Sequence, residues 1–220
     1  MAQRNLTVLI SGNGSNLQAL IDACNTPALP NTRIVHVISN RKAAFGLQRA
    51  ATAQIPTSYH NLVPYKKAHP DDLAAARAAY DADLASLILS HASKTHLVVC
   101  AGWMHIVTPS FLGPMADASV PIINLHPALP GEFAGAGAIE RAWAAGRDEG
   151  LRRTGVMVHE VIAEVDAGKA IVVKEVEIRE GEGVEGLEER IHAVEHGVIV
   201  EGTRIALDRL SEGGETEVKA

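Results

Sequence analysis

The sequence has few aromatic residues and no apolar run long enough to cross a membrane. Phe, Trp and Tyr make up only 4% of the chain, although 47% of it is hydrophobic, so aliphatic residues supply most of the apolar content. This balance is typical of ordinary soluble globular proteins. A membrane-spanning helix needs about 20 consecutive apolar residues, and no run approaches that length. We therefore expect one well-packed globular protein with no membrane partner.

Basic clusters are also lacking. The formal net charge is −6, and no block of Lys or Arg resembles a patch for nucleic acid or for an anionic membrane. An anionic ligand must then be held by a local site. We expect small-molecule substrates and no nucleic acid, while the sequence leaves a monomer and a homodimer equally open.

Cysteine is scarce as well. Cys24 and Cys100 are the only two, and each lies in an apolar context, which fits buried thiols in a reducing compartment better than a disulfide framework. The first residues, Met1 to Asn5, lack the apolar core of a signal peptide. The sequence therefore predicts a cytoplasmic protein.

A glycine-rich turn follows the first apolar run. The run Leu6 to Ile10 gives way to Ser11-Gly12-Asn13-Gly14-Ser15-Asn16, after which apolar residues recur at helical spacing. Exposed N–H groups and the positive end of a helix dipole make such a turn a cradle for phosphate or carboxylate. The turn matches neither the dinucleotide fingerprint nor the P-loop. By itself it leaves an anion site and an ordinary strand-to-helix connection open.

The rest of the chain alternates strands and helices before its rhythm changes. Strands are predicted over 33–39, 55–59 and 97–100, and helices over about 45–53, 70–91, 138–145 and 186–210, the second with an apolar stripe that includes Leu73. The alternation indicates a parallel sheet, whereas 155–161 and 170–178 read as an antiparallel hairpin with an acidic tip. We predict a single domain over 1–220, with a polar, frayed tail over about 211–220. Its fold class is α/β, a Rossmann-like, mostly parallel sheet flanked by helices with an antiparallel C-terminal hairpin.

The stretch from Val120 to Pro130 is the strongest candidate for chemistry. Asn124 and His126 are two residues apart and so project from the same face of an extended chain. Pro127 ends the strand, which delivers an amide and an imidazole to its C-terminal edge. From this stretch alone, a strand end with an ordinary loop histidine is an equal alternative.

A possible zinc motif occurs near the end of the chain. His192-Ala193-Val194-Glu195-His196 matches the HxxEH pattern of inverted zinc proteases, but such a site needs a third protein ligand, and only a short tail follows. Histidines on a helix surface are the favoured interpretation. We expect no metal, which leaves Glu195 free for another role.

Four motifs together resemble those of a known family. Their order along the chain is Gly-Asn-Gly-Ser-Asn, Ala101-Gly102-Trp103-Met104, Asn124-Leu125-His126-Pro127, and Glu164-Val165-Asp166-Ala167-Gly168. The chain resembles the folate-dependent formyltransferases, and within them the phosphoribosylglycinamide (glycinamide ribonucleotide) formyltransferases of purine synthesis, most closely the fungal ones. The resemblance runs from about Leu6 to Leu207. It implies a Rossmann-like formyltransferase fold, in agreement with the rhythm of the chain.

The resemblance also implies roles for individual residues. The implied catalytic residues are Asn124, His126 and Asp166. The implied contacts to glycinamide ribonucleotide are Gly14, Ser15 and Asn16 for its phosphate, helped by Arg77, with Glu195 near its ribose and amine. The implied contacts to 10-formyltetrahydrofolate, the co-substrate, are Met104, His105, Ile106, Val107, Glu164 and Val165. Bacterial members often have Arg where His105 stands, a departure that weakens the case for a charged contact to the folate tail. The loop after His126 is shorter here, a departure that shifts the loop covering the ribonucleotide.

These residues suggest a mechanism without a covalent nucleophile. We expect Asn124 and a protonated His126 to stabilise the oxyanion of a tetrahedral intermediate, and Asp166 to favour the imidazolium and to carry a proton through a water.

Three other functions are weighed against formyl transfer to the ribonucleotide. Formyltetrahydrofolate deformylases have an extra N-terminal regulatory domain. We expect no such domain here, because the first strand begins at Leu6. A methionyl-tRNA formyltransferase would carry an RNA-binding domain and a basic face. A non-catalytic nucleotide-binding module would not need Asn124, His126 and Asp166 together.

Overall fold

A computed structural model describes residues 3–216 of the chain. The chain divides into two compact units, Met1–Ile122 and Ile123–Ala220. Each unit has its own arrangement of strands, so the two are described in turn.

The first unit alternates strands and helices. Its elements are β1 (Arg4–Ile10), α1 (Ser15–Ala23), β2 (Thr32–Ser39), α2 (Gly46–Thr52), β3 (Thr57–Tyr59), α3 (Val63–Ala68), α4 (Leu73–Leu89), β4 (Leu97–Cys100) and α5 (Pro109–Asp117). The strands pair in parallel in the order β3-β2-β1-β4, and Val8 of the central strand lies opposite Val37 on one side and Val99 on the other. Since the carboxyl ends of parallel strands share one edge, the loops after β1 and β4 meet there.

The helices of this unit differ from prediction in two respects. α4 begins at Leu73 and not near Pro70, and Leu73 is 55% exposed, so it does not belong to the buried stripe. A carboxylate, Asp81, is fully buried on that helix instead. The sequence analysis also missed α3 and α5, although Pro109 at the first turn of α5 is a typical helix start.

The second unit is built on antiparallel strands. Its elements are β5 (Ile122–His126), which starts at the last residue of the first unit, α6 (Ala138–Glu149), β6 (Arg153–Glu160), β7 (Ala170–Glu177) and α7 (Val184–Thr216). β5 pairs with β6, so that Asn124 lies opposite His159 and His126 opposite Met157. β6 pairs in turn with β7, which confirms the predicted hairpin.

The tip of that hairpin is fixed where it closes. A side chain at Gly168 would overlap the carbonyl oxygen of Glu160, and the N–H of Glu160 donates to the carbonyl of Lys169 at 3.0 Å. Only glycine permits this approach. Gly168 therefore allows the two strands of the hairpin to close directly behind the acidic tip.

The last helix packs on the hairpin and is longer than predicted. Gly202 of α7 faces Val158 of β6 so closely that a side chain at Gly202 would clash with it. α7 continues to Thr216, beyond the predicted helix end near Leu210. The end of the predicted frayed tail, 217–220, lies outside the described residues. Within 3–216, no helix combines the length and the apolar character needed to cross a membrane.

The predicted fold class is confirmed. Parallel strands alternating with helices come first, and an antiparallel part follows them in the chain. The prediction that 1–220 forms a single domain stays a prediction.

Candidate active site

Asn124, His126 and Asp166 come together within the second unit. Asn124 Nδ2 lies 3.4 Å from Asp166 Oδ1, and His126 Nδ1 lies 3.4 Å from Asp166 Oδ2. The two strand residues face the same way, as their spacing predicted, and the hairpin tip brings the carboxylate to them. An amide, an imidazole and a carboxylate thus share one small volume.

A second histidine, His159 on β6, completes this group. Its Nε2 lies 3.2 Å from Asn124 Nδ2 and 3.4 Å from Asp166 Oδ1. Its Nδ1 lies 2.9 Å from the carbonyl oxygen of Glu160, which accepts only, so Nδ1 carries the proton and Nε2 accepts from Asn124. The sequence analysis missed His159. The sequence does show a histidine near the end of an otherwise apolar strand. That this histidine meets Asn124 depends on the register between β5 and β6.

The backbone around Asp166 supports the carboxylate. Asp166 has a positive φ of 54°, a conformation that costs about 1 kcal/mol or more in a residue other than glycine. The N–H of Gly135 donates to Asp166 Oδ2 at 2.7 Å. A loop after β5 therefore supplies the shortest hydrogen bond to the hairpin tip.

Asp166 is an anion at neutral pH. Its side chain is 11% exposed, and burial alone would raise the pKa of its carboxyl. The hydrogen bond from the Gly135 N–H and the contacts with His159 and His126 oppose that effect and lower the pKa to about 2.

The expectation that His126 is protonated is not supported by this structure. His126 is 5% exposed, and burial, the largest effect, lowers its pKa below 6.5. Asp166 and the Phe133 carbonyl raise the pKa, but they do not outweigh burial together with the effects of His159 and Arg141. The ring is therefore neutral at pH 7. Its Nε2 lies 3.2 Å from the Phe133 carbonyl oxygen and its Nδ1 faces Asp166 Oδ2, so each ring nitrogen has an acceptor beside it.

The glycine turn of the first unit has the features of an anion cradle. Gly14 adopts a positive φ of 76° at the start of α1, and no side-chain hydrogen bond caps that helix end. Gly14 also lies against Gly46, where a side chain would meet the Gly46 Cα at 2.6 Å. Arg49, which the sequence analysis missed, donates from Nε to the Asn13 carbonyl at 3.0 Å and adds positive charge beside the turn.

The segment Met104 to Val107 lies next to that turn. The N–H of Met104 donates to Ser11 Oγ at 2.7 Å, while the side chains of Met104 and Ile106 are exposed. His105 turns inward and pairs through Nε2 with Asp81 Oδ1 at 2.8 Å. Arg77 donates from Nη2 to the Ile106 carbonyl at 2.7 Å, so in this structure its guanidinium binds the backbone of this segment.

The remaining predicted site residues lie on the second unit. Glu164 and Val165 are exposed on the hairpin tip, and Glu195 is buried within α7. Among the described residues, no group of three or more His, Cys, Asp and Glu side chains is arranged to hold a metal ion.

An open cleft of about 430 Å³ also lies on this unit, beside the loop that follows β5. It contains none of Asn124, His126 and Asp166, and its walls are Glu132, Phe133, Arg141, Ala144, Ala145, Asp148, Glu149 and Leu151.

Comparison with known proteins identifies the family. Residues 4–203 match the formyl transferase family. The chain belongs to the formyl transferase family. This membership confirms the resemblance drawn from the four motifs, and with it the predicted enzyme class, a formyl group transferase.

Two fungal members of the family are similar over nearly their whole length. Phosphoribosylglycinamide formyltransferase of Schizosaccharomyces pombe is 52% identical over 198 residues, which cover 90% of this chain and 94% of the relative. The enzyme of the same name from Saccharomyces cerevisiae is 49% identical, with 93% and 98% covered. A solved family structure, glycinamide ribonucleotide transformylase 1 from Symbiobacterium toebii, matches with a TM-score of 0.79 at 35% identity, covering 92% of this chain and 86% of that one.

Proposed function

We propose that the protein transfers the formyl group of 10-formyltetrahydrofolate to the amine of glycinamide ribonucleotide in purine biosynthesis. The observation that carries the proposal is the meeting of Asn124, His126 and Asp166 on one face of the second unit, in a chain whose full-length relatives bear the name phosphoribosylglycinamide formyltransferase. Both reactants are substrates, and no metal takes part.

The reaction needs an oxyanion to be stabilised and one proton to be moved. The amine nitrogen forms a bond to the formyl carbon, the bond from that carbon to the folate nitrogen breaks, and one proton passes from the amine to the folate nitrogen. Between these events the formyl oxygen carries negative charge. A single donor to such an oxygen is typically worth about 10²- to 10³-fold in rate.

Asn124 supplies that donor. One of its N–H groups is held by His159 at 3.2 Å, and the other points at Asp166 over a long 3.4 Å. A hydrogen bond of that length is weak, so the second N–H exchanges it at little cost for a shorter one to the oxyanion. The hydrogen bond to His159 prevents the Asn124 amide group from rotating by 180°.

His126 and Asp166 move the proton. The neutral ring offers a lone pair at Nδ1, 3.4 Å from an Asp166 carboxylate that remains charged. A proton released by the amine, relayed by water, gives an imidazolium that Asp166 stabilises, and His126 then returns the proton to the departing folate nitrogen. General acid–base help of this kind contributes about 10²- to 10⁴-fold.

The other site residues bind the two substrates in this proposal. Gly14, Ser15 and Asn16 hold the phosphate of the ribonucleotide through the uncapped end of α1, with Arg77 assisting and Glu195 near the ribose and amine. The folate lies against Met104, His105, Ile106 and Val107 and against Glu164 and Val165 of the hairpin tip.

An absorbance assay of folate deformylation tests the proposal. Loss of the formyl group from 10-formyltetrahydrofolate is followed with and without glycinamide ribonucleotide. We expect turnover that requires the ribonucleotide and yields its formylated product. Equal turnover without ribonucleotide would identify a deformylase, and no turnover in either case would contradict formyl transfer itself.

The protein's location and assembly are part of the same proposal. We place it in the cytoplasm, because Cys24 and Cys100 are both free thiols and fit a reducing compartment. Light scattering across a range of protein concentrations distinguishes a monomer from a homodimer.

A further inference from the structure

A single side chain on α6 binds most of the loop that follows β5. Arg141 Nη2 donates to the carbonyl oxygens of Phe133 and Ala134 at 2.7 Å each, and more weakly to Gly135 at 3.5 Å. Its Nε donates to the carbonyl of Gly137 at 3.3 Å. The planar, forked guanidinium is suited to this, because it presents several donors in fixed directions.

The loop needs such support. Gly131, Phe133, Gly135 and Gly137 all have positive φ angles, of 80°, 47°, 83° and 66°. At Phe133 this conformation costs about 1 kcal/mol or more, because the residue has a side chain. The Arg141 guanidinium also lies 5.8 Å from the centre of the Phe133 ring. These contacts oppose relaxation of the loop to a more ordinary backbone.

The same loop touches two residues of the candidate active site. The Phe133 carbonyl oxygen lies 3.2 Å from His126 Nε2, and the Gly135 N–H donates to Asp166 Oδ2 at 2.7 Å. One carbonyl, that of Phe133, is therefore shared by Arg141 and His126. Any movement of this loop changes the acceptor of His126 and the donor of Asp166 together.

We propose that Arg141 is a positioning residue for formyl transfer: it fixes the Phe133 carbonyl, which holds the proton of His126 on Nε2 and leaves Nδ1 free to accept a proton beside Asp166. The inference rests on the proposed function for its effect on turnover, but the tautomer of His126 is measurable without turnover.

Arg141 also acts through its charge. The charged and titratable groups that face His126 are Asp166 from the hairpin tip, His159 from β6 and Arg141 from α6, together with the Phe133 carbonyl. Asp166 raises the pKa of His126, whereas His159 and Arg141 lower it. Removal of the guanidinium charge therefore makes His126 easier to protonate.

Two substitutions separate the hydrogen bonds from the charge. Arg141→Lys keeps a positive charge but cannot reach several carbonyls at once, whereas Arg141→Met removes both. We expect kcat to fall about 10- to 100-fold in both variants, since small misplacements of catalytic groups have effects of this size, with each KM changed less than about threefold. The low-pH limb of the kcat profile should move to higher pH in Arg141→Met and stay in place in Arg141→Lys.

The matched control is Arg147→Met on the same helix. Arg147 is exposed, pairs with Asp148 and lies over the Trp143 ring, and it makes no contact with the loop in the described structure. This variant should keep the kcat and the pH profile of the parent protein. Far-UV circular dichroism and thermal unfolding confirm that each variant is folded.

The decisive measurement is the ¹⁵N spectrum of the histidine rings in the ligand-free protein. We expect His126 to carry its proton on Nε2 in the parent protein and in Arg147→Met, and to become a mixture of tautomers in Arg141→Met. An unchanged tautomer with unchanged kcat would overturn the inference. A rise in KM for the ribonucleotide at constant kcat would overturn it too, by making Arg141 a substrate-binding residue. If no variant or parent turns over, the proposed function fails, and the spectrum still decides the role of Arg141.

Discussion

Two aspartates among the described residues contact histidines, Asp81 with His105 in the first unit and Asp166 with His126 and His159 in the second. The Asp81 pair is closed to solvent, whereas the pair of Asp166 with His126 is more open. Asp81 is 0% exposed, and its two oxygens accept from His105 at 2.8 Å and from the Thr108 N–H at 2.5 Å. Asp166 has an 11% exposed side chain, and its contacts to His126, His159 and Asn124 are all 3.4 Å long. Only the Gly135 N–H approaches Asp166 at a short distance.

This difference distinguishes an aspartate whose hydrogen bonds stay with fixed partners from one whose hydrogen bonds can change partners. Short, fully buried hydrogen bonds keep their partners, and the Asp81 pair therefore fixes the loop that begins after β4. Long contacts around a carboxylate that reaches solvent are weak and change partners readily, which suits the proton relay proposed for Asp166. The same two residue types serve both purposes, and the distances and exposure decide which.

The largest expected effect is that of Asp166→Asn. The amide keeps the size of the side chain but cannot stabilise an imidazolium, so kcat should fall about 10²- to 10⁴-fold with little change in the binding of either substrate. Steady-state kinetics, with Asp148→Asn on the protein surface as the control, measure this. Near-normal turnover would remove Asp166 from the mechanism and leave the two pairs without a functional difference.

The next largest effect is the pH dependence of kcat, which should report on His126 beside Asp166 and not on His105 beside Asp81. Because burial lowers the pKa of His126 below 6.5 and the neutral ring accepts the proton, kcat should fall as pH drops through that pKa, about tenfold per unit. A kcat profile between pH 5 and about 8 checks the sign. A fall on the alkaline side instead would restore the protonated His126 that the sequence suggested.

A smaller effect on turnover is expected from Asp81→Asn. The change should cost about 3 kcal/mol of stability, since it breaks a fully buried pair, and it should raise KM for the folate several-fold while kcat changes little. Thermal unfolding and the two KM values measure it, and His105→Gln serves as the partner variant. A loss of kcat as large as that of Asp166→Asn would show that the closed pair is catalytic.

The smallest effect is expected from Ser15→Ala, which touches neither pair. Loss of one hydrogen bond to a charged phosphate is worth about 1.5 kcal/mol at the low end, so KM for the ribonucleotide should rise roughly tenfold at constant kcat. The same assay with a phosphate-free analogue is the control. An equal loss with that analogue would argue against an anion cradle at α1.

The elements that the sequence predicted well are those with strong local patterns. The continuous apolar strand at 97–100, the two alternating strands of the hairpin and the glycine turn were all recognisable, because side-chain periodicity and glycine chemistry act over a few residues. Asn124 and His126 were found for the same reason: strand geometry alone puts residues two apart on one face. Short helices such as α3 escaped prediction because their apolar pattern is too brief to read.

His159, Arg141 and Asp81 could not be found in this way. Asn124 meets His159 only because of the register between β5 and β6, and Arg141 acts on backbone carbonyls, which leave no trace in residue identity. Asp81 lies on an amphipathic helix, where a carboxylate ordinarily faces solvent. In each case the partner is distant in the chain or belongs to the main chain.

The sequence by itself determined which groups are available and on which edge of a strand Asn124 and His126 stand. Only the tertiary structure decided their charge. From the sequence, an imidazole beside a carboxylate was expected to be protonated, but the pKa also depends on burial and on other nearby charges, and these arise when β6, the hairpin tip and the loop held by Arg141 close around the ring. His126 is therefore neutral beside an ionised Asp166, because desolvation of the ring outweighs one carboxylate at 3.4 Å.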